Sequence, residues 1–227
     1  MPSLDSGQSE GPSIRHPLTE QKLTSALAEF ESVLTSTFPS NWDRTYLDVG
    51  FVTSPDTKDV FFLPSFAFKT GTITLPDIND LKQDPGKNIL SVGAGPAYFE
   101  QFLLKLGVNP NQIMLSDIDS RFLPADLPHT IFDMNGQWPS FDGQQFDLIV
   151  FNQAFPTFKV IPPDERKVKL IGILGSATNA LSDDGEIRMS GLRLDTSIQD
   201  VSVALHGLSI SYDAQKQFLR ARHAQPK

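Results

Sequence analysis

Apolar residues recur at two different spacings along this chain of 227 residues, and the change of spacing divides the chain into an N-terminal part and a main domain. From Leu18 onward, apolar side chains follow steps of three and four residues, which predicts an amphipathic helix that ends before the stretch "TFPSNW". Its apolar positions are Leu23, Ala26, Leu27, Phe30, Val33 and Leu34. Residues 1–17 are rich in Ser, Gly and Pro and lack such a period, so we expect a disordered tail.

The next part of the chain carries β-prone pieces between turn residues. These pieces are "RTYLDVGFV", "DVFFLPSFAF" and "GTITL", and they predict a small antiparallel unit or lid. The Asp-Pro-Gly turn in "LKQDPGKN", residues 81–88, then interrupts the chain. We therefore assign residues 18–85 to an N-terminal helix and a β-containing accessory segment, and residues 86–227 to the main domain.

After residue 85, apolar strands alternate with helices. Strands are predicted in "NILSVG", "QIMLSD", "HTIFD", "FDLIVFN" and "GEIRMSG", and a closing pair in "LSISYD" and "QKQFLRAR". Helices are predicted in "AYFEQFLLKLG", in "TSIQDVSVALHG" and from about Asp164 to Leu181, the last with Val168, Ile171, Leu174 and Leu181 on one side. Because each crossover must return the chain to the same end of the sheet, this alternation predicts an α/β fold with a mostly parallel, doubly wound sheet. The closing strands should pair antiparallel.

Composition narrows the class of protein. The apolar content of 39% and the charged content of 20% are those of a globular protein, and no apolar run approaches the length of a membrane span. The net charge of -8 would repel a phosphate backbone, so we expect no nucleic-acid partner. The chain has no cysteine and no signal-type N-terminus, so we expect a cytoplasmic protein without membrane contact, and we predict no metal site.

The stretch "ILSVGAGPAYFE", residues 89–100, holds the main candidate for a binding site. Gly93 and Gly95 follow the first parallel strand, where they allow a sharp turn and a close approach of the backbone to a ligand. The helix that begins near Ala97 adds free N–H groups, which favour a carboxylate or a phosphate. A dinucleotide fingerprint requires a small residue where this chain has Tyr98, so a pyrophosphate turn is disfavoured.

The pattern G-x-G-x-G/A is satisfied instead, by Gly93, Gly95 and Ala97. This stretch resembles motif I of the class I S-adenosylmethionine-dependent methyltransferases, and the resemblance continues in order from about residue 86 to the end of the chain. It implies a Rossmann-like domain with seven strands in the order 3-2-1-4-5-7-6. It also implies S-adenosylmethionine as the cofactor, bound at the turn by Gly93, Ala94, Gly95 and Ala97.

The ends of the next three strands supply the other cofactor contacts that the resemblance implies. "IMLSDID" is similar to the family's second strand, so Asp117 accepts hydrogen bonds from the ribose and Ile118 lies against the adenine. "HTIFDMN" is similar to the third, which assigns the adenine amino group to Asp133 and a packing or backbone contact to Met134. "FDLIVFNQAF" is similar to the fourth, which puts Asn152 beside the transferable methyl. From the residues alone, Asp117 also fits a helix cap, and Asp133 and Asn152 fit turns.

The acceptor side of the site is less clearly marked. Phe155 and Phe158 follow the fourth strand and Tyr46 lies in the accessory segment, so these three are candidates for an acceptor pocket. The sequence identifies no catalytic base, since its four histidines are as well explained as solvated or structural residues. One departure from the family pattern is Ser91, where an acidic residue is frequent.

These observations predict a transferase that moves a methyl group to a small or medium organic acceptor, as a monomer or a homodimer. Two alternatives stay open. A non-catalytic scaffold of the same fold would bind the cofactor without turning it over. An aminopropyltransferase shares the fold, but it is expected to have an acidic residue in place of Asn152.

Overall fold

The computed structural model describes residues 17–56, 60–152, 162–192, 198–205 and 207–224. Its helices are α1 Glu20–Thr37, α2 Pro64–Thr70, α3 Leu75–Gln83, α4 Tyr98–Lys105, α5 Pro163–Asn179 and α6 Ile198–Ala204. Its strands are β1 Phe51–Thr53, β2 Val60–Phe62, β3 Ile89–Val92, β4 Ile113–Asp117, β5 His129–Ile131, β6 Phe146–Asn152, β7 Leu181–Ser190, β8 Leu208–Asp213 and β9 Phe218–His223. Within these ranges, every helix is too short or too polar to cross a membrane.

Seven strands form the central sheet, in the order β5-β4-β3-β6-β7-β9-β8. Renumbered along the chain within the sheet, this order is 3-2-1-4-5-7-6, which confirms the predicted fold. β3 pairs in parallel with both β4 and β6, and β9 runs antiparallel between β7 and β8. Because β3 lies between β4 and β6, the turn that follows β3 lies between the carboxyl ends of its two neighbours.

Apolar side chains cover both faces of the sheet, as a doubly wound arrangement requires. One face packs against α5 and α6 through a cluster that includes Leu90, Phe151, Leu170, Leu174 and Val201. The other face packs against α3 and α4 through a cluster that includes Ile78, Leu81, Ile89, Phe102 and Leu115. The long helix is placed as predicted, but its apolar side differs: Val168 is 70% exposed, and Leu181 begins β7.

Residues 64–70 and 75–83 form α2 and α3 with a turn between them, so the predicted strand in "GTITL" and the part of "DVFFLPSFAF" after Phe62 are wrong. Pro64 opens α2, where its fixed φ suits the first turn of a helix. At the start of α3, the backbone N–H and the hydroxyl of Thr74 donate to Oδ2 of Asp77 at 2.7 and 2.6 Å. These local start signals outweigh the β propensity of the aromatic and β-branched residues. In the described part of residues 18–85, β1 and β2 form an antiparallel hairpin, and a single antiparallel bridge joins Asp43 to Thr53.

A buried ion pair joins α3 to the sheet. The side chain of Arg188 in β7 is 8% exposed and donates to both carboxylate oxygens of Asp77, with Nη1–Oδ2 at 2.6 Å and Nη2–Oδ1 at 3.0 Å. Oε1 of Glu186 accepts a further hydrogen bond from Nε at 3.1 Å. Burial opposes the charge on Asp77, but the Arg188 guanidinium holds the pKa of that carboxyl below its usual value. The helical layer is therefore fixed to the sheet by directional bonds as well as by apolar contact.

We expect Arg188→Met to lower the free energy of unfolding by about 3 kcal/mol, because the mostly buried carboxylate of Asp77 would lose its ion-pair partner, whereas Glu186 would keep Arg220 and Arg222. Urea unfolding followed by circular dichroism measures the change. Lys105→Met is the control, since its ion pair with Glu29 is largely exposed and screened by solvent, so its loss should change stability little. Equal losses of unfolding free energy in the two variants would contradict the conclusion that the buried ion pair contributes more than the exposed one.

Candidate functional site

The turn after β3 is fixed by the end of β4. The N–H groups of Gly93 and Ala94 both donate to the carbonyl oxygen of Ser116, at 2.9 and 3.0 Å. The N–H of Gly95 donates to Oδ2 of Asp117 at 2.9 Å. Gly93 and Gly95 have φ values of 70° and 52°, in the left-handed region that glycine adopts at little cost. The turn and the end of the neighbouring strand therefore form one hydrogen-bonded unit.

Ala97 closes the turn and begins α4. Its N–H donates to the carbonyl oxygen of Ala94 at 2.9 Å, its φ is 56°, and it is fully buried, so a small side chain suits this position. No described side chain caps the start of α4, which leaves the helix amides there for a ligand. Beside Gly95, a Cβ would meet no described atom within 4 Å, so the backbone is open to a ligand at this point.

Asp117 and Ile118 lie at the end of β4. Oδ1 of Asp117 accepts the N–H of Asp119 at 3.0 Å, and Oδ2 accepts the N–H of Gly95. Each carboxylate oxygen has a second lone pair, so Asp117 retains acceptor capacity for hydroxyl groups. Ile118 is 69% exposed beside it. The capping role belongs to Asp119, whose Oδ1 accepts the N–H of Arg121 at 3.0 Å.

Asp133 and Met134 follow β5, one strand beyond Asp117. Oδ1 of Asp133 accepts the backbone N–H and the side-chain amide of Asn135, both at 2.9 Å, so this carboxylate stabilises a turn. Its side chain is exposed. Met134 packs against the core, and its carbonyl oxygen accepts the indole N–H of Trp138 at 3.0 Å. The structure places both residues at the same edge of the sheet as the turn.

Asn152 ends β6 on the other side of the turn. In the pairing of β3 with β6, Phe151 lies opposite Val92, so Asn152 is level with Gly93. The hydroxyl of Ser190, at the end of β7, lies 3.3 Å from the side-chain oxygen of Asn152. The carboxyl edge of three adjacent strands thus brings together the glycine turn, Asp117 and Asn152.

Of the three residues predicted to contact an acceptor, only Tyr46 lies in the described part of the chain. Phe155 and Phe158 fall within 153–161, outside the described residues. Tyr46 is 45% exposed and stacks on Phe51, with the ring centroids 4.8 Å apart. Its aromatic contact therefore belongs to the accessory segment itself.

An aromatic cluster that was not predicted connects the accessory segment to the turn. Trp42 stacks on Phe38 and on Phe61 of β2, with centroid distances of 4.9 and 4.8 Å. Phe38 also contacts Tyr98, the first residue of α4, at 5.8 Å. Burial raises the pKa of the Tyr98 hydroxyl. Since Tyr98 directly follows the glycine turn, the accessory segment lies against the edge of the sheet that carries the candidate site.

Glu100 is a buried carboxyl group beside the turn, and sequence reasoning missed it. The residue is 2% exposed, and the hydroxyl of Ser91 in β3 donates to its Oε1. Burial raises the pKa of Glu100 to about 7, while the hydrogen bond from Ser91 opposes the rise. The available signal was an acidic residue on the apolar side of α4, next to the buried Phe99 and near the buried Leu103.

Solved structures with a similar chain path include several methyltransferases. A TehB-like SAM-dependent methyltransferase from Corynebacterium glutamicum is 16% identical and matches 87% of this chain and 99% of its own, with a TM-score of 0.45. The sugar N-methyltransferase KedS8 from a Streptoalloteichus species is 11% identical over 66% of this chain and 85% of its own, with a TM-score of 0.46. The N-methyltransferase NodS from Bradyrhizobium japonicum is 14% identical over 67% and 94%, with a TM-score of 0.42.

No family model matches the chain, and no curated protein matches it. These sequence identities are too low to carry a residue's role over from a solved structure. The chemistry of the candidate site therefore rests on the residues of this chain.

Glu100→Gln should raise the free energy of unfolding at about pH 8 by on the order of 3 kcal/mol. A carboxyl whose pKa rises from 4.5 to about 7 on folding is held in its neutral form, so its burial destabilises the fold only where it must ionise. The difference between variant and wild type should therefore vanish below about pH 4.5 and level off above about pH 7. Urea unfolding across this range measures it; a difference independent of pH would contradict the assignment.

Proposed function

We propose that this protein is an S-adenosylmethionine-dependent methyltransferase that acts on a small or medium organic acceptor. The observation that carries the proposal is the arrangement at the carboxyl edge of the sheet, where Asp117 bonds the glycine turn from one side and Asn152 lies level with it on the other. The sheet order 3-2-1-4-5-7-6 is the one that the resemblance of the turn implies. The net charge of -8 supports a small-molecule acceptor rather than a nucleic acid.

Each part of the cofactor has a matching group in this site. The ribose hydroxyls suit the remaining acceptor capacity of Asp117, and the adenine suits the surface between exposed Ile118 and Met134, with Asp133 at its rim. The carboxylate of the methionine part suits the amides at the start of α4. With the cofactor held by these groups, Asn152 would be the residue beside the transferable methyl, as the resemblance implies.

When bound, the cofactor supplies a methyl group on a positively charged sulfur, which is a good leaving group. The work left to the protein is alignment of the acceptor and exclusion of water. The cluster of Phe38, Trp42, Phe61 and Tyr98 joins the accessory segment to the first residue of α4, which supports the assignment of residues 18–85 as a lid.

The two described histidines lie away from the candidate site. His129 begins β5 and His223 ends the antiparallel β9, so both lie at the opposite edge of the sheet. His16 and His206 fall outside the described residues. We therefore assign neither of these histidines as a general base, and we place the acceptor next to Asn152.

Calorimetry with purified protein tests the proposal. We expect S-adenosylmethionine and S-adenosylhomocysteine to bind, and NAD not to bind, because the turn lacks the small residue that a pyrophosphate requires. A methyl donor labelled on the methyl group, incubated with metabolite pools, then tests transfer. Binding without transfer to any pool would favour the non-catalytic scaffold, and turnover of decarboxylated cofactor to a polyamine would favour an aminopropyltransferase. Absence of binding would overturn the proposal.

Gly95→Ala should weaken cofactor binding at least about tenfold, since the new methyl group would occupy the open space beside the turn. It should also cost about 1 kcal/mol of stability, because alanine is strained at a φ of 52°. Gly143→Ala is a matched control: its φ is 81°, no described atom lies within 4 Å of the place that a Cβ would take, and it lies in the loop before β6. The control should lose similar stability and keep full affinity. Equal affinities in both variants would remove Gly95 from the site.

A further inference from the structure

Glu100 lies beneath the glycine turn, and the proposed methyl transfer assigns it no role. Its hydrogen-bond partner Ser91 is two residues before Gly93, a distance of about 7 Å along an extended strand. Glu100 itself is in the first turn of α4, and side chains of a helix lean toward its N-terminus. The carboxyl group is therefore held between the strand that enters the turn and the helix that leaves it.

The charged and titratable side chains on the elements around Glu100 bond to other groups. Lys105 at the end of α4 pairs with Glu29 of α1 at 2.6 Å, Lys69 of α2 donates to the carbonyl oxygen of Asp48, and Asp117 of β4 bonds the turn. On α4, Tyr98 has a pKa raised by burial, so it stays neutral near pH 7. Among the described residues, no charged side chain contributes to the pKa of Glu100, which burial raises to about 7.

A buried acid without a counter-charge is costly whenever it ionises, and a neutral glutamine would make the same hydrogen bond with Ser91 without that cost. The ionised form of an acid at this position is stabilised if a ligand brings a positive charge close to it. The proposed cofactor brings one, since its methionine part carries an ammonium on the carbon next to the carboxylate.

We propose that Glu100 loses its proton when the ammonium of the cofactor binds at the glycine turn, so that cofactor binding releases a proton to solvent. This inference rests on the proposed function. At an effective dielectric constant of about 20, a positive charge within about 7 Å of the carboxyl would favour its ionised form by more than tenfold, so direct contact would not be required. The amides at the start of α4 offset the charge of the ligand carboxylate, which leaves the ammonium as the dominant charge near Glu100.

Calorimetry in two buffers of different ionisation enthalpy tests the proposal, with S-adenosylhomocysteine as the probe. At about pH 7, wild type should release about half a proton more than Glu100→Gln, because about half of the Glu100 side chains are protonated in the free protein. The dissociation constant of wild type should fall about tenfold from about pH 5.5 to about pH 7, as the ionised fraction rises. That pH dependence should be absent in Glu100→Gln.

Two controls separate this role from a purely structural one. Ser91→Ala removes the hydrogen bond that favours the carboxylate, so the midpoint of proton release should move to higher pH. The compound 5′-methylthioadenosine lacks the amino-acid end and should bind without releasing the Glu100 proton. Equal proton release in wild type and Glu100→Gln, or the same release with 5′-methylthioadenosine, would overturn the inference while leaving the proposed function intact. Failure of every sulfur nucleoside to bind wild type would overturn both.

Discussion

Two backbone amides share one carbonyl oxygen at the centre of this fold. Gly93 and Ala94 both donate to Ser116, and the pairing of β3 with β4 sets Ser116 opposite Val92. The turn is thus anchored to the neighbouring strand, and its shape depends on the register between the two strands. A slip of one residue would also send the side chain of Asp117 to the other face of the sheet. The candidate site is therefore a property of the whole sheet edge and not of a local loop.

Sequence periodicity located the strands of the central sheet because they are short apolar runs, each ended by turn residues. The stretches "NILSVG", "QIMLSD" and "FDLIVFN" all became parallel strands of the central sheet. The same reasoning failed for residues 64–83, where composition favours strands but Pro64 and the Thr74–Asp77 cap start helices. Helix starts are set by one or two residues, so an average over a window conceals them.

The parts of the candidate site that could be proposed from the sequence lie close together in the chain or at strand ends. The glycine turn follows a predicted strand, and the resemblance to the methyltransferase family indicated Asp117 and Asn152. The contact of Phe38 with Tyr98 and the hydrogen bond of Ser91 to Glu100 depend instead on how layers pack. Hydrophobic spacing says which side chains are buried, but it does not say which buried side chains meet. The roles of Phe155, Phe158 and Tyr46 stay predictions.

The ion pair of Arg188 with Asp77 has a consequence for how this protein can diversify. It fixes α3 to β7, and three members of the aromatic cluster, Phe38, Trp42 and Phe61, precede Asp77 in the chain. The aromatic residues of the accessory segment and the ion-paired residues are thus separate stretches of the chain. Phe38, Trp42 and Phe61 can therefore vary, and with them the surroundings of Tyr98, while the bond between α3 and β7 stays intact.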